Sequence, residues 1–333
     1  MLRSFITLVV LTTLLSISAQ AQILEVAELN TEQIQALDRD RTVVLLPGGI
    51  LEEHGPYLPS FTDGYQNEHR AQELAEAIAA RAGWTALVFP TIPLGSGGAN
   101  QIGEKYSFPG TYAVRPATLR AIFMDLADEL GEQGFRWIFI VHGHGSPDHN
   151  HALHEAGAYF RDTYGGRMVH LAALQGSQQS LQQSILASSL GLEGMKEEGV
   201  SSHAGVAEHS RLWALRPDLV APGVRNAAPV TAANREDHRR LALMPEWPGY
   251  FGSPARASSE LGEQLLADFT QRLVGTAMWI LDGGEERGRR RFMDINPVED
   301  DDAIMGPARQ YEAMRERRQR EWLATRPPSN GNR

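Results

Sequence analysis

The sequence of 333 residues contains no cysteine. This absence excludes disulfide bonds, thiolate nucleophiles and thiolate metal sites together, so a catalytic metal would have to be bound by His, Asp and Glu. An excess of positive charge is also missing: 41 acidic residues face 31 basic ones, and the formal net charge is −10. Such a balance argues against nucleic acid as the main partner, because nucleic-acid binding usually needs a basic surface.

The sequence also lacks an apolar run long enough for a transmembrane helix. The apolar stretch from Phe5 to Leu15 is far shorter than the roughly 20 residues that span a bilayer. Arg3 precedes this stretch and Ala19-Gln20-Ala21 follows it, which is the pattern of a Sec-type signal peptide. We therefore predict a signal peptide over residues 1–21, a periplasmic or secreted protein, and no stable membrane insertion after cleavage.

The rest of the chain alternates between strand and helix patterns. Apolar, β-branched runs predict strands at residues 42–47, 86–90, 137–141 and 168–171. Amphipathic segments predict helices at 63–81, 118–130 and 149–164. This alternation favours an α/β fold with a largely parallel sheet that is covered on both faces and binds ligands at the carboxyl ends of its strands. Residues 175–199 are expected to form an insertion or lid. Residues 283–333 are expected to form a charged tail that is flexible or wraps the surface, with a short helix near 308–323.

The first histidine segment directly follows the strand at 42–47. In an extended chain Glu52 and His54 point to the same side, and such a pair can bind zinc, manganese or iron. Asp63 lies nine residues after His54, where the loop turns into a helix. Its carboxylate could reach back to the same ion, or it could simply cap the helix.

Two further segments carry histidines. His142 and His144 are flanked by glycine after the strand at 137–141, and one of them is a candidate ligand. His203 precedes a predicted helix, and Glu208 lies in the first turn of that helix, where a carboxylate often does no more than interact with the helix dipole. Three other histidines are expected to be solvated or locally hydrogen-bonded: His149, His151 and His154.

Together these segments resemble the creatininase (creatinine amidohydrolase) family. The motif Glu52-x-His54-Gly55-Pro56-x-Leu58-Pro59-x-x-x-Asp63 is similar to the opening motif of the family. Three further motifs follow in the order of the family: Phe108-Pro109-Gly110-Thr111, Gly143-His144-Gly145 and His203-Ala204-Gly205-x-x-Glu208-x-Ser210. The resemblance spans roughly residues 42–280. It implies a three-layer α/β/α fold with a mostly parallel central sheet, in a creatininase-like hydrolase domain over residues 22–282.

The resemblance also implies a metal site. Two divalent ions, Zn²⁺ and/or Mn²⁺, would be bound by five side chains, with Asp63 between the two ions: Glu52, His54, Asp63, His144 and Glu208. His203 would contact the substrate and move protons. Creatininase has a glutamate at the position of Ser146, so Glu208 is the candidate that completes this site. The Tyr and Trp that would hold a creatinine ring in creatininase are Gly145 and Gly199 here, which argues against creatinine as the substrate.

These features predict an exported, metal-dependent amidohydrolase. It would hydrolyse a non-peptide C–N bond of a cyclic or linear small-molecule amide with a metal-activated water. Members of the family assemble as oligomers, so a homo-oligomer is expected. One alternative is a metallopeptidase of the same family that acts on a small peptide, and another is a non-catalytic periplasmic binding protein on this fold.

Overall fold

The computed structural model describes residues 22–174, 178–296 and 302–326, so the predicted signal peptide lies outside the described residues. Five strands are present in these ranges: β1 (Gln22–Glu25), β2 (Thr42–Pro47), β3 (Thr85–Val88), β4 (Trp137–Val141) and β5 (Arg167–His170). The same ranges contain ten α-helices, besides short 3-10 helices: α1 (Thr31–Gln35), α2 (Thr62–Ala79), α3 (Pro116–Glu132), α4 (Pro147–Tyr164), α5 (Gln178–Glu198), α6 (Val206–Leu215), α7 (Arg235–Leu243), α8 (Ser259–Leu281), α9 (Phe292–Ile295) and α10 (Asp302–Ala324). None of these helices is long and apolar enough to cross a membrane.

The strands form one sheet in the order β1-β3-β2-β4-β5, and all neighbouring strands are parallel. The predicted α/β fold with a mostly parallel central sheet is confirmed. The sequence analysis missed β1, an edge strand of four residues that are mostly exposed. Such a segment lacks the buried apolar run by which the other strands are recognised.

Helices cover both faces of the sheet. Val43 and Leu45 of β2 pack in the apolar cluster that includes α2 and α8, while Val44 and Leu46 pack in the cluster of α3 and α4. All four side chains are fully buried. A parallel strand that is covered on both faces needs apolar residues at every position, which explains the uninterrupted apolar sequence of β2.

The register of the two central strands decides where the functional residues meet. Pro47 at the end of β2 is paired with Val141 at the end of β4, so the segments after both strands leave the sheet side by side. The two segments lie so close that a Cβ atom on Gly48 would be 2.0 Å from Nε2 of His142. Glycine at position 48 is therefore required for this approach.

The predicted insertion at 175–199 is largely helical. Helix α5 is interrupted at Gly191, where φ is 64°. Leu186 of α5 is buried in a small apolar cluster with Val206 of α6 and with Leu261 and Leu265 of α8. The composition predicted an insertion or lid but no helix; Gln and Leu are nevertheless good helix formers, and the leucines supply an apolar contact for the helix.

The C-terminal segment, which comprises residues 286–296 and 302–326, is packed against the domain. The helix that we expected near 308–323 is present as part of the 23-residue helix α10, and the four-residue helix α9 precedes it. Met305 and Ala308 of α10 are buried. Few apolar side chains occur in this segment, and their burial by residues distant in sequence cannot be read from its charged composition.

Candidate metal centre

Glu52 and His54 are buried below the carboxyl end of β2. Oε1 of Glu52 accepts a hydrogen bond from the backbone N–H of Ala99 at 2.5 Å, while Oε2 has no hydrogen-bond partner. Nδ1 of His54 lies 3.0 Å from the carbonyl oxygen of Glu52 and donates to it, because a carbonyl can only accept. In the neutral ring Nε2 of His54 then carries the lone pair, and Nε2 has no hydrogen-bond partner either.

Asp63 and His144 lie next to this pair. Asp63 is in the first turn of α2 but does not cap it, because the N-cap position is occupied by Phe61. Instead its Oδ2 lies 3.0 Å from Nδ1 of His144, and its Oδ1 lies 3.9 Å from Nε2 of His54. Nδ1 of His144 is also 3.4 Å from Oε2 of Glu52. The structure therefore brings together four of the residues that the sequence analysis selected.

Glu208 and His203 complete the group from the other side. Oε2 of Glu208, in the first turn of α6, lies 3.9 Å from Nε2 of His54 and accepts a hydrogen bond from the N–H of Ala204. Nδ1 of His203 lies 3.7 Å from Oε1 of Glu52. Ser146, where creatininase has a glutamate, instead caps α4 through the N–H of His149. Glu208 thus occupies the space beside His54 and Asp63.

The three central histidines share one arrangement. In each ring one nitrogen donates to a backbone carbonyl: His54 to Glu52, His144 to Gly97 at 3.2 Å, and His203 to Glu53 at 2.7 Å. The other nitrogen then faces the carboxylates with its lone pair whenever the ring is neutral. Hydrogen bonds of this kind orient imidazoles for metal coordination.

The donor atoms form three groups with metal-ligand spacing within the described part of the chain: Glu52, Asp63 and His144; His54, Asp63 and Glu208; and Glu52, His54 and His203. Bonds of about 2.1 Å separate two ligands of one ion by about 3.0–4.2 Å. The pairs described above lie 3.0–3.9 Å apart. The unpartnered oxygen of Glu52 and nitrogen of His54 face this centre, so the residues present fit divalent cations.

The site brings buried carboxylates and imidazoles together, and their charges shift the pKa values of one another. Burial alone lowers the pKa of His144, but the carboxylates of Glu52 and Asp63 outweigh it and raise this pKa to about 9. Burial opposes a charged His203 as well, yet Glu52 and Glu53 hold its pKa well above the usual range. Burial raises the pKa of Asp63, but the neighbouring histidines outweigh this effect and lower it. The centre is therefore built to hold ionised carboxylates beside positive charge.

Sequence reasoning missed Glu53, which is buried between Glu52 and His54 in the chain. Its Oε1 lies 3.4 Å from Nε2 of His203 and has no hydrogen-bond partner, while its Oε2 accepts from the N–H of Gly55. Glu53 thus contributes a second carboxylate beside His203. The only signal for it was its place between two candidate ligands.

A polar layer behind the centre was also missed. Asn67 of α2 connects the two strand-end segments, because its Nδ2 donates to the carbonyl of Gly48 and its Oδ1 accepts from the N–H of Gly143. Arg70 and Arg211 are buried nearby and feel the charges of Asp63 and Glu208. Asn67 and Arg70 follow Asp63 at four and seven residues, and this spacing on one helix face was the available signal.

The other histidines of the segment lie behind the centre. His142 is fully buried and its ring meets Phe123 edge-on, with 5.2 Å between ring centroids. Burial and the neighbouring His170 lower the pKa of His142 to about 3. His149, expected to be solvated or locally bonded, is fully buried 5.1 Å from His144 between ring centroids, while His151 is half exposed. Of His142 and His144, it is His144 that faces the carboxylates.

A cavity of about 380 Å³ opens beside the centre. Glu52, His144, His203 and Glu208 line one part of it, and they are thus accessible from the cavity. The remaining wall includes residues from the strand-end loop, the segment before α6, helix α7 and the C-terminal segment. Most ligand pockets that hold small organic molecules measure roughly 300–1,000 Å³.

Known proteins are similar to this chain over most of its length. The model of the family described as creatininase, creatinine amidohydrolase, matches residues 27–276. A mycofactocin precursor peptide peptidase of Mycolicibacterium smegmatis is 29% identical over 233 residues, which cover 68% of this chain and 80% of the peptidase. A creatinine amidohydrolase of Pseudomonas putida is 27% identical over 226 residues, which cover 67% of this chain and 84% of that enzyme.

Solved creatininase structures share the fold. A manganese form and a mutant of Zn-Zn type are each 25% identical to this chain and cover 76% of it and 96% of their own chains. Their TM-scores are 0.56 and 0.55. Both structures carry in their descriptions a metal that the donor set described above fits.

Proposed function

Because the chain belongs to the creatininase family, we propose that this hydrolase cleaves a non-peptide C–N bond of a cyclic or linear amide with the help of two divalent cations. The observation that carries the proposal is the convergence of five candidate ligands on one centre, of which Glu52, His144 and Glu208 line the adjoining cavity together with His203. The hydrogen bonds of the three central histidines add support, because one nitrogen of each ring contacts a backbone carbonyl and the other nitrogen is thereby turned toward the carboxylates.

Two groups of side chains would hold the cations. Glu52, Asp63 and His144 form one group, and His54, Asp63 and Glu208 form the other, so Asp63 is shared between them. Carboxylate and imidazole donors suit Zn²⁺ and Mn²⁺. Such cations supply Lewis-acid polarisation of a carbonyl and make water more acidic.

His203 would handle the proton of the leaving nitrogen. In amide hydrolysis the oxygen of a water bonds to the carbonyl carbon, the C–N bond breaks, and the nitrogen leaves with a proton. His203 lines the cavity, and in the ion-free site the carboxylates of Glu52 and Glu53 outweigh the effect of burial and raise its pKa well above the usual range. A protonated imidazole at neutral pH is a suitable general acid for this step.

A second candidate function is cleavage of a small peptide by the same residues. The similarity to a mycofactocin precursor peptide peptidase favours it, and so does a cavity larger than a small ring requires. The chemistry at the C–N bond would be the same, so the two candidates differ in the substrate alone.

We also propose that the protein is exported after removal of residues 1–21, as the signal-peptide pattern supports. An N-terminus at Gln22 in the periplasmic fraction would agree with this proposal, and an intact N-terminus in the cytoplasm would contradict it. The family resemblance supports a homo-oligomer, which light scattering on the mature protein would test.

The central experiment measures metal content by mass spectrometry in the mature protein and in His54→Ala, Asp63→Ala and His151→Ala variants. We expect about two Zn or Mn ions per chain in the wild type and in the His151→Ala control, whose side chain is exposed on α4. Both site variants should lose metal. A wild-type protein that stays metal-free after reconstitution with both ions would refute the proposal. Activity assays with cyclic amides, formamides and short peptides then distinguish the two candidate functions.

A further inference from the structure

The C-terminal segment forms part of the wall of the cavity at the candidate metal centre. Phe292 of α9 and Ile304 and Met305 of α10 line the same cavity as His144 and His203. We infer that this segment belongs to the substrate site and that its apolar side chains bind an apolar group of the amide substrate. This inference rests on the proposed function, because it concerns the substrate of the same centre.

This part of the wall lies outside the portion of the chain that the family shares. The family model ends at residue 276, before α9 and α10 begin. Substrate contacts made by this segment would therefore come from residues outside the part of the chain that the family model matches.

Two glycines near the centre, Gly145 and Gly199, leave the cavity wall without side chains that the C-terminal segment can replace. Gly145 lines the cavity, and a Cβ atom at this position would have no other atom within 4 Å. Gly199 cannot provide a side chain instead, because φ is 59° and a Cβ atom would be 2.5 Å from the carbonyl oxygen of Ala232. Since neither glycine offers apolar surface, Phe292 and Met305 provide it from another part of the chain.

The C-terminal segment is held in place along its length. Its contacts join it to α4 and to the loop before α3: Arg291 with His154 at 2.8 Å, Arg309 with Asp148 at 3.1 Å, and Tyr311 stacked on Tyr106 with 4.1 Å between ring centroids. Met305 is only 6% exposed. A side chain that is held and shielded in this way presents a defined surface to a ligand.

The size and lining of the cavity indicate the substrate class. About 380 Å³ is room for a ligand of drug-like size. One side of such a ligand would face the carboxylates and imidazoles, and another would face Phe292, Ile304 and Met305. The substrate we infer is an amide that carries a phenyl-sized or branched aliphatic group, rather than a compact polar ring such as creatinine.

The test compares two metal chelators that differ in one apolar group, acetohydroxamic acid and benzohydroxamic acid. Their dissociation constants are measured by calorimetry on the metal-loaded mature protein. Burial of a phenyl ring corresponds to a gain of roughly tenfold to 100-fold in affinity. We expect the wild type to prefer benzohydroxamic acid by at least about tenfold. In Phe292→Ala and in the double variant with Met305→Ala, this preference should fall to about threefold or less.

Two control variants separate loss of the apolar wall from general damage. Trp322→Ala removes an exposed side chain near the end of α10 and should retain the preference, as should the conservative Met305→Leu. A wild type without the preference, or Phe292→Ala and double variants that keep it in full, would overturn the inference. Metal content and binding of acetohydroxamic acid report on the proposed function separately, because they fail only if the metal centre itself is absent.

Discussion

Replacement of Glu208 by Gln tests whether this residue is a metal ligand or only a favourable charge at a helix start. Oε2 of Glu208 and Oδ1 of Asp63 each lie 3.9 Å from Nε2 of His54, so the substitution replaces one of the two carboxylates of this group with a neutral, weaker amide donor. The group of Glu52, Asp63 and His144 does not include Glu208. We therefore expect the variant to retain about one ion per chain instead of two.

Weaker metal binding in Glu208→Gln should also lower the stability of the fold. Loss of residues that merely support a ligand costs 10–100-fold in metal affinity, so loss of a ligand should weaken the affected site by at least on the order of 100-fold. At a free ion concentration of about 100 times the wild-type Kd, one site stabilises the fold by about 2.7 kcal/mol. After a 100-fold weakening about 0.4 kcal/mol remains. The loss of about 2.3 kcal/mol corresponds to a decrease in Tm of about 5–9 °C.

The assay combines metal analysis after gel filtration with thermal unfolding in a metal buffer of fixed free ion concentration. Glu260→Gln is the matched control, because Glu260 lies in the first turn of α8 and is exposed. It should cost no metal and only about 0.3–1 kcal/mol through the helix dipole. Two ions bound to Glu208→Gln with wild-type affinity would refute the metal-ligand role and leave Glu208 as a dipole partner.

Three further predictions concern pH, docking of the C-terminal segment and helix packing. Metal binding requires neutral imidazole, and in the ion-free site the pKa of His144 is about 9, because the carboxylates of Glu52 and Asp63 outweigh the effect of burial. Below this pH metal binding should therefore release protons, and metal affinity should rise about tenfold per pH unit for each proton released. Calorimetry that shows no pH dependence of the affinity between about pH 6.5 and 8 would contradict this prediction. Burial and the negative charge of Asp148 raise the pKa of Glu312 in α10 from 4.5 to about 7, so packing of α10 against the domain should weaken as the pH rises from about 4.5 to 7. Hydrogen exchange of the α10 amides should show this pH dependence in the wild type and in the exposed control Glu321→Gln, but not in Glu312→Gln. The same pH profile in both variants would contradict the prediction. A Cβ atom at Gly262 would lie 1.9 Å from the carbonyl oxygen of Ser210, so Gly262→Ala should push α8 away from α6. The free energy of unfolding, measured by chemical denaturation, should fall by about 1–3 kcal/mol. Wild-type stability of this variant would show that the two helices can adjust.

Much of the central fold could be predicted from the sequence because its signals are local. The apolar runs of β2 and β4 reflect burial on both faces, and the structure places these strands at residues 42–47 and 137–141 as predicted. The helix predicted at 63–81 spans Thr62–Ala79. The convergence of the segments after β2 and β4 also follows from sequence, since parallel strands present their carboxyl ends at one edge of the sheet.

Other elements gave weak local signals. Strand β1 is short and mostly exposed, α5 is rich in Gln and Ser, and only the part of α10 at 308–323 was predicted as a helix. Their position depends on a few contacts with residues distant in the chain, such as Leu186 with Leu261 or Tyr311 with Tyr106. Such contacts depend on three-dimensional distances that composition and periodicity do not contain.

The sequence by itself determined the types of donor available to the centre and the strand ends at which most of them stand. Without cysteine, only carboxylates and imidazoles can serve, and Glu52, His54 and His144 follow strands directly. The tertiary structure alone decided which nitrogen of each histidine faces the centre, because that choice depends on backbone carbonyls supplied by the fold, one of them from the distant Gly97. It also decided that Phe292 and Met305 line the cavity, because a wall formed by distant segments exists only once those segments are packed together.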